Sequence, residues 1–423
     1  MEPQSFANSY ILTTRNQPAA TTKSQTFPLP NGALWWYTAP NQYDPEATAY
    51  TPVGSQPSAS PPQSFLTMIE SDLQIAIANG FPQLTVVIHG LANLFTDSIS
   101  EQAALGGGLQ QYAQYHGLVI SFDWPSYDEI ESFLPSNYAP LPYRFPPSTT
   151  SGSIRGNVNG SVRAFATLVA MLRSLQQKLG VAINIICHSE GTYMMMLGMH
   201  AQPNAQLPIL NQVLLAAANI NNGALLPSSN SPPYAGQGAP IAALSNQVTV
   251  YYSSDDDVLP WSKDFLKIFH NPSYPDRLGL EGPSSHATLS PRACGIDCSA
   301  VISKTVIRQI PQVPPVTAAH SSYFHIPQVL QDWAQTLQGT APGNVINRRP
   351  VAGTSNAFVM QFVPPPAPIN LRRGGGERHA DDDGTGSIGV TTPSAASMTS
   401  PASRHRSSRK RGARIWTPGR KGP

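Results

Sequence analysis

The chain is expected to fold as an α/β protein, with a mainly parallel sheet and helices on both faces. Three observations carry this. Short strand-like runs alternate with amphipathic helix-like stretches from residue 65 to 337, the order that yields parallel strands joined by helical crossovers. Runs such as Leu84-Thr85-Val86-Val87-Ile88 lack polar alternation, the mark of strands covered on both faces. One run, Ile183 to Cys187, breaks off at His188-Ser189-Glu190-Gly191 and is followed at once by Thr192 to Leu197. That is strand, sharp turn and helix with a serine at the apex.

In chain order, Tyr10 to Thr14 and Ala33 to Thr38 combine β-branched and aromatic residues between turn formers and read as leading strands. Thr51 to Pro62 reads as a Pro/Ser linker. Phe65, Met68, Ile69, Leu73 and Ile77 share one face of a helix that stops at Gly80. After the strand 84–88 comes the loop His89-Gly90-Leu91-Ala92-Asn93. Ser98 and Glu101 have capping-box spacing for a helix running to about Gln114, weakened by glycines 106–108. Leu118 to Phe122 is the next strand, ending in Asp123-Trp124-Pro125-Ser126. Residues 127–159 are rich in Pro, Ser and Tyr without a period; a connection of that length is expected to cover something. Val162 to Leu179 is strongly amphipathic. Beyond the serine turn, 212–217, 247–252 and 296–302 read as strands and 326–337 as the closing helix.

The expected organisation is N-terminal strands and linker over 1–63, an α/β domain over 64–340, and a Pro/Gly/Arg-rich disordered tail over 341–423. The 423 residues include 42 Pro and 32 Gly, and only 12% are charged. The net charge of +2 is uneven: residues 371–423 hold 11 Lys and Arg against 4 Asp and Glu, residues 1–370 hold 15 against 20. No run reaches the roughly 18 apolar residues of a membrane span, and the first residues lack the pattern of a signal peptide. Three cysteines, Cys187, Cys294 and Cys298, form neither a disulfide framework nor a zinc set. Reduced thiols in a cytoplasmic protein, with no metal and no cofactor, are the expectation.

A serine hydroxyl is a weak nucleophile until a base and a tautomer-fixing acid stand behind it. Ser189 sits at the apex, with the Glu190 N–H pointing where an oxyanion would form. The Cys187 to Gly191 turn resembles the nucleophile turn of α/β-hydrolases, and that resemblance implies that the acid and then the histidine follow the serine. His200 lies in the helix after the turn; His270 and His286 precede the last expected strand; His325 opens the closing helix. His320, in a loop after that strand, is the candidate base. The strand Tyr251-Tyr252-Ser253-Ser254 ends in Asp255, Asp256 and Asp257, which together supply the candidate acid. The earlier position, Ala218-Asn219-Ile220-Asn221, has no carboxylate. The second oxyanion donor is expected from the His89-Gly90-Leu91 loop, at the Leu91 N–H. His89 itself, the Met194 to Met196 run and Asp123 to Ser126 read as structural.

These pieces resemble the α/β-hydrolase superfamily, and most of all a branch of uncharacterised, mostly bacterial serine hydrolases. The matching motifs are Thr13-Thr14-Arg15, His89-Gly90-Leu91-Ala92-Asn93, Trp124-Pro125-Ser126, Cys187-His188-Ser189-Glu190-Gly191, Tyr251 to Asp256 and His320-Ser321-Ser322-Tyr323. They span roughly residues 8–340. The resemblance implies an α/β-hydrolase fold and acyl-transfer chemistry, and it singles out Asp256 as the acid. The chain departs from the branch at Cys187, where alanine is usual, at Glu190 beside the nucleophile, and at Asn219 and Asn221.

The expected function is therefore a serine hydrolase for a carboxylic ester or related acyl bond in a small-molecule substrate. The alternative is a non-catalytic binding or scaffold protein on the same fold. The basic segment 404–421 reads as a solvated end, with contact to nucleic acid or an anionic membrane surface as its other reading.

Overall fold

The apolar runs form one sheet. The computed structural model describes residues 5–16, 18, 28–40, 50–91, 93–126, 154–201, 209–227, 236–260, 276–308 and 319–362. Its strands are β1 (Asn8–Thr13), β2 (Trp35–Pro40), β3 (Thr51–Pro52), β4 (Gln83–Ile88), β5 (Leu118–Asp123), β6 (Ala182–His188), β7 (Leu210–Ala216), β8 (Ser245–Tyr252), β9 (Ala293–Asp297), β10 (Arg348–Pro350) and β11 (Ala357–Met360). The helices are α1 (Gln63–Ala78), α2 (Phe95–Ala113), α3 (Ile154–Leu179), α4 (Gly191–His200), α5 (Ala239–Ala243), α6 (Leu278–Glu281), α7 (Lys304–Ile307) and α8 (Pro327–Leu337).

Across the sheet the order is β10-β11-β9-β8-β7-β6-β4-β5-β1-β2-β3. Neighbours from β11 to β1 are parallel. β10 at one edge, and β2 and β3 at the other, are antiparallel additions. This is the mainly parallel α/β sheet that the alternation of elements predicts. From β4 the chain steps to β5 on one side, then returns through α3 to β6 on the other side of β4. The carboxyl ends of β4 and β6 thus flank a topological switch point, where open α/β sheets present their sites.

Side chains of successive strand residues point to opposite faces. Leu84, Val86, Ile88, Ile183, Ile185 and Cys187 pack in one core with Phe65, Phe165 and Leu168 of α1 and α3. Val87, Val119, Ile186 and Leu214 pack in another with Leu105 of α2 and Leu330 and Trp333 of α8. Every residue of β4 and β5 is buried, which explains why their sequences do not alternate.

Several boundaries differ from the sequence reading. α2 starts at Phe95, not Ser98; the Asp97 carboxylate accepts from the Leu94 N–H at 2.7 Å, and Ser98 Oγ–H donates instead to Asp123. The glycines at 106–108 do not interrupt α2. A Cβ at Gly108 would stand 2.7 Å from Leu330 Cδ1, so the missing side chain lets α8 seat against α2. α3 begins at Ile154, inside the stretch read as aperiodic; Gly156, Asn157 and Gly160 hide it in sequence. It packs on the turn before β2, with Thr167 Oγ1–H donating to Gly32 O at 3.2 Å. β9 lies at 293–297 rather than 296–302, and Val301 and Ile302 are buried in the turn that follows. Within the expected linker, Thr51–Pro52 pairs with β2.

The sheet also continues past residue 340, where the irregular tail was expected to begin. Arg348 of β10 is buried and donates to both oxygens of Asp332 on α8, at 2.7 and 2.6 Å, which ties this return to the core. Of the expected cover at 127–159, residues 127–153 lie outside the described residues, as does the basic segment 404–421. Among the described residues no helix is long and apolar enough to cross a membrane.

Candidate active site

Register brings the site together. Ile88 of β4 pairs with Cys187 of β6, so the loop after β4 and the turn after β6 emerge side by side. Ser189 has φ of 52°, a left-handed conformation that a side chain other than glycine adopts only when its surroundings impose it. Its N–H donates to Ala216 O at 2.9 Å, and its carbonyl accepts from the Asn219 N–H at 3.1 Å. The turn is thus held by the end of β7. Gly191 opens α4 with no room for a side chain: a Cβ there would stand 2.5 Å from His89 O. Cys187, in place of the usual small residue, packs its thiol 3.1 Å from Met195 Sδ. Burial pushes that thiol well above the ordinary cysteine range, so it is no rival nucleophile.

Glu190, the carboxylate beside the serine, is buried and accepts from Asn219 Nδ2–H at 2.8 Å. Asn219 therefore grips the turn twice, through its main chain at Ser189 and its side chain at Glu190. Two of the four departures from the motif pattern, Glu190 and Asn219, thus form one contact.

The loop after β4 is fixed from below. His89 Nδ1 lies 2.7 Å from Gly90 O and Nε2 lies 3.0 Å from Asp123 Oδ1. The ring stacks on Trp124, whose indole N–H donates to His89 O. Asp123 also accepts from Thr13, Ser98 and the buried Arg15. Burial alone would raise its carboxyl, but the Arg15 charge and His89 hold it well below the usual range. Arg15 continues to Asn93 O and Trp124 O. A Cβ on Gly90 would stand 2.9 Å from Ser189 Cβ, so the loop carrying Leu91 lies against the serine. No acceptor among the described residues takes the Leu91 N–H.

His320 sits in a short 3-10 turn, Ala319–Phe324. Its Nδ1–H donates to Asp256 Oδ2 at 2.7 Å. The other Asp256 oxygen accepts from the N–H groups of Val258 and Leu259 at 2.9 and 2.8 Å. Burial would raise the Asp256 carboxyl and lower the His320 ring. The charge and hydrogen bond between them outweigh both, leaving Asp256 below and His320 above their ordinary values. The His320 main chain is held as well: its N–H donates to Asp257 Oδ1 at 3.1 Å, and its carbonyl accepts from His188 Nε2–H at 2.9 Å.

The structure thus gathers Ser189, Glu190, Leu91, Asp256 and His320 at one sheet edge. The remaining histidines are elsewhere: His200 bonds Gln237 O at the end of α4, His286 lies against Gly295 of β9, and His325 leads into α8. His270 lies outside the described residues. Asp255 is exposed. Sequence reasoning missed what His188 and Asp257 do for His320. His188 stood inside a quoted motif and Asp257 in the run of three carboxylates, but a main-chain partner 132 or 63 residues away leaves no local signal.

Residues 70–279 match the model of a family described as alpha/beta hydrolase of unknown function (DUF900). That span includes Leu91, Ser189, Glu190 and Asp256 and stops short of His320. No curated protein matches the sequence. Among solved structures, Aspergillus fumigatus lipase B is similar at 12% identity and a TM-score of 0.32, over 62% of this chain and 54% of its own length. The chain therefore spans about half of that lipase. The HSL-homolog EstE7 from a metagenome library is similar at 10% identity and a TM-score of 0.31, over 74% of this chain and 85% of its own.

Proposed function

This chain belongs to the α/β-hydrolase superfamily, and on that premise we propose that it is a serine hydrolase that cleaves a carboxylic ester or related acyl bond. The observation that carries the reading is the strained Ser189 turn, set beside a buried His320 whose Nδ1–H is bound to Asp256 at 2.7 Å. A histidine oriented in this way keeps Nε2 unprotonated and ready to take a proton.

Ser189 Oγ attacks the acyl carbon while His320 Nε2 accepts its proton. Asp256 fixes the ring and stabilises the imidazolium. The N–H groups of Leu91 and Glu190 hold the oxyanion. His320 then returns the proton to the departing alcohol, leaving an acyl group on Ser189. Water attacks that ester by the same proton path in reverse and frees the acid.

A fluorophosphonate probe tests the reading, because it reacts only with an activated serine. The wild-type chain is expected to label and Ser189→Ala to remain unlabelled. Equal labelling of both removes Ser189 as the nucleophile.

A further inference from the structure

The three consecutive carboxylates after β8 divide their work. Asp255 is exposed, Asp256 takes the His320 ring, and Asp257 takes something else. Its Oδ1 accepts from the main-chain N–H of His320 at 3.1 Å. Its other oxygen lies 3.5 Å from Lys304 Nζ on α7. The Asp257 side chain is 21% exposed and that of Lys304 65%, and both border a surface hollow that Asp255, Pro260 and Ser303 also line.

We propose that Asp257 is a positioning residue for acyl transfer, which fixes His320 through its main-chain N–H while the neighbouring carboxylate fixes the ring. This rests on reading His320 as the base. The physical need is plain. His320 is the second residue of the short 3-10 turn Ala319–Phe324, where an N–H has no partner within the turn. With the carbonyl bound by His188, the N–H bound by Asp257 and Nδ1 bound by Asp256, the residue is held at three points from two strand ends. A base must be held to a fraction of an ångström for its proton transfer to keep pace.

Asp257 also acts through charge. The groups whose charge bears on His320 are Asp256 and Asp257 from the turn after β8 and Glu101 from α2, while His188 from the end of β6 faces it as a neutral ring. Lys304 bears on Asp257 from α7. Asp257 is one of the carboxylates that hold His320 above the ordinary histidine value, against the burial that lowers it. Removing the charge therefore lowers that value, and the unprotonated base persists to lower pH.

The two contributions separate in two variants of the full chain. Asp257→Asn keeps an oxygen that accepts the N–H but loses the charge; Asp257→Ala loses both. The readout is the rate of fluorophosphonate labelling of Ser189 against pH, with circular dichroism as the folding control. Asp257→Ala is expected to label about tenfold or more slowly at its pH plateau, with its lower limb moved to lower pH. Asp257→Asn is expected to regain most of the rate while keeping the moved limb. If Asp257→Ala does not fold, the limb of Asp257→Asn decides: an unmoved limb overturns the inference. A folded Asp257→Ala with wild-type rate and limb overturns it too, and leaves the hydrolase reading standing. A wild-type chain that does not label overturns that reading, and this inference with it.

Discussion

The Nε2–H of His188 donates to the main-chain oxygen of His320 across 2.9 Å, and the two rings lie 4.8 Å apart. A carbonyl only accepts, so the tautomer of His188 is fixed. Burial, and then the nearby charge of His320, push its pKa down to about 3, so the ring is neutral where the enzyme would work. The residue before the nucleophile thereby anchors the base. His188→Phe removes this donor from a buried carbonyl, at a cost of about 1–3 kcal/mol. The expected result is roughly tenfold lower kcat with KM little changed. His188→Gln, which can donate from its amide, is expected to recover part of it; steady-state kinetics on one ester checks both.

The pH dependence follows from the His320 pair. Activity needs the unprotonated ring, so kcat/KM rises with pH through the His320 pKa. That pKa is raised, so the lower limb is expected above the ordinary value near ~6.5. Asp256→Asn removes the charge, moves the limb to lower pH and, by freeing the tautomer, lowers kcat by about a thousandfold or more. A limb that moves upward in this variant contradicts the assignment.

Asp123 is a stability centre rather than a catalytic group. It and Arg15 are fully buried and bound at 2.7 Å. Asp123→Ala strands the Arg15 charge, and a loss of about 3–5 kcal/mol in denaturant unfolding is expected. The Asp123 carboxyl is depressed in the folded protein. Its contribution is therefore present above the unfolded carboxylate pKa near ~3.9 and is lost as pH falls through the depressed value.

Gly90 separates activity from stability. Its missing Cβ makes room for Ser189 Cβ and for His188 Nδ1, which would lie 2.9 and 3.0 Å from it. Gly90→Ala is expected to cut the labelling rate by about tenfold or more by displacing the loop that carries Leu91. The thermal midpoint is expected to change much less.

The return of the chain beyond residue 340 is tested by Arg348→Ala. Arg348 and Asp332 are both fully buried in their side chains. Leaving the buried Asp332 carboxylate without its counter-charge is expected to cost about 3–5 kcal/mol in urea unfolding. A change near zero contradicts an ordered role for β10.

Much of the parallel sheet was legible because its strands are continuous apolar runs and its helices carry an apolar face. Ser189 and the Asp255–Asp257 run could be found because each ends a strand. Position after the last expected strand singled out His320, and a motif match singled out Asp256. Three kinds of feature were not legible. The start of α3 is hidden by Gly156 and Gly160, residues of low helix propensity. β10 and β11 are short, Pro350 ends one of them, and they are specified by partners far away in sequence. The anchoring of His320 by His188 and Asp257 runs through main-chain atoms, which every residue has and no motif marks.

The most direct test of the central claim is hydrolysis of p-nitrophenyl esters of increasing acyl length by the wild type, Ser189→Ala and His320→Ala. The account predicts turnover by the wild type and loss of about a thousandfold or more in each variant. Turnover that survives in both folded variants, or a wild type inert toward every ester, contradicts it.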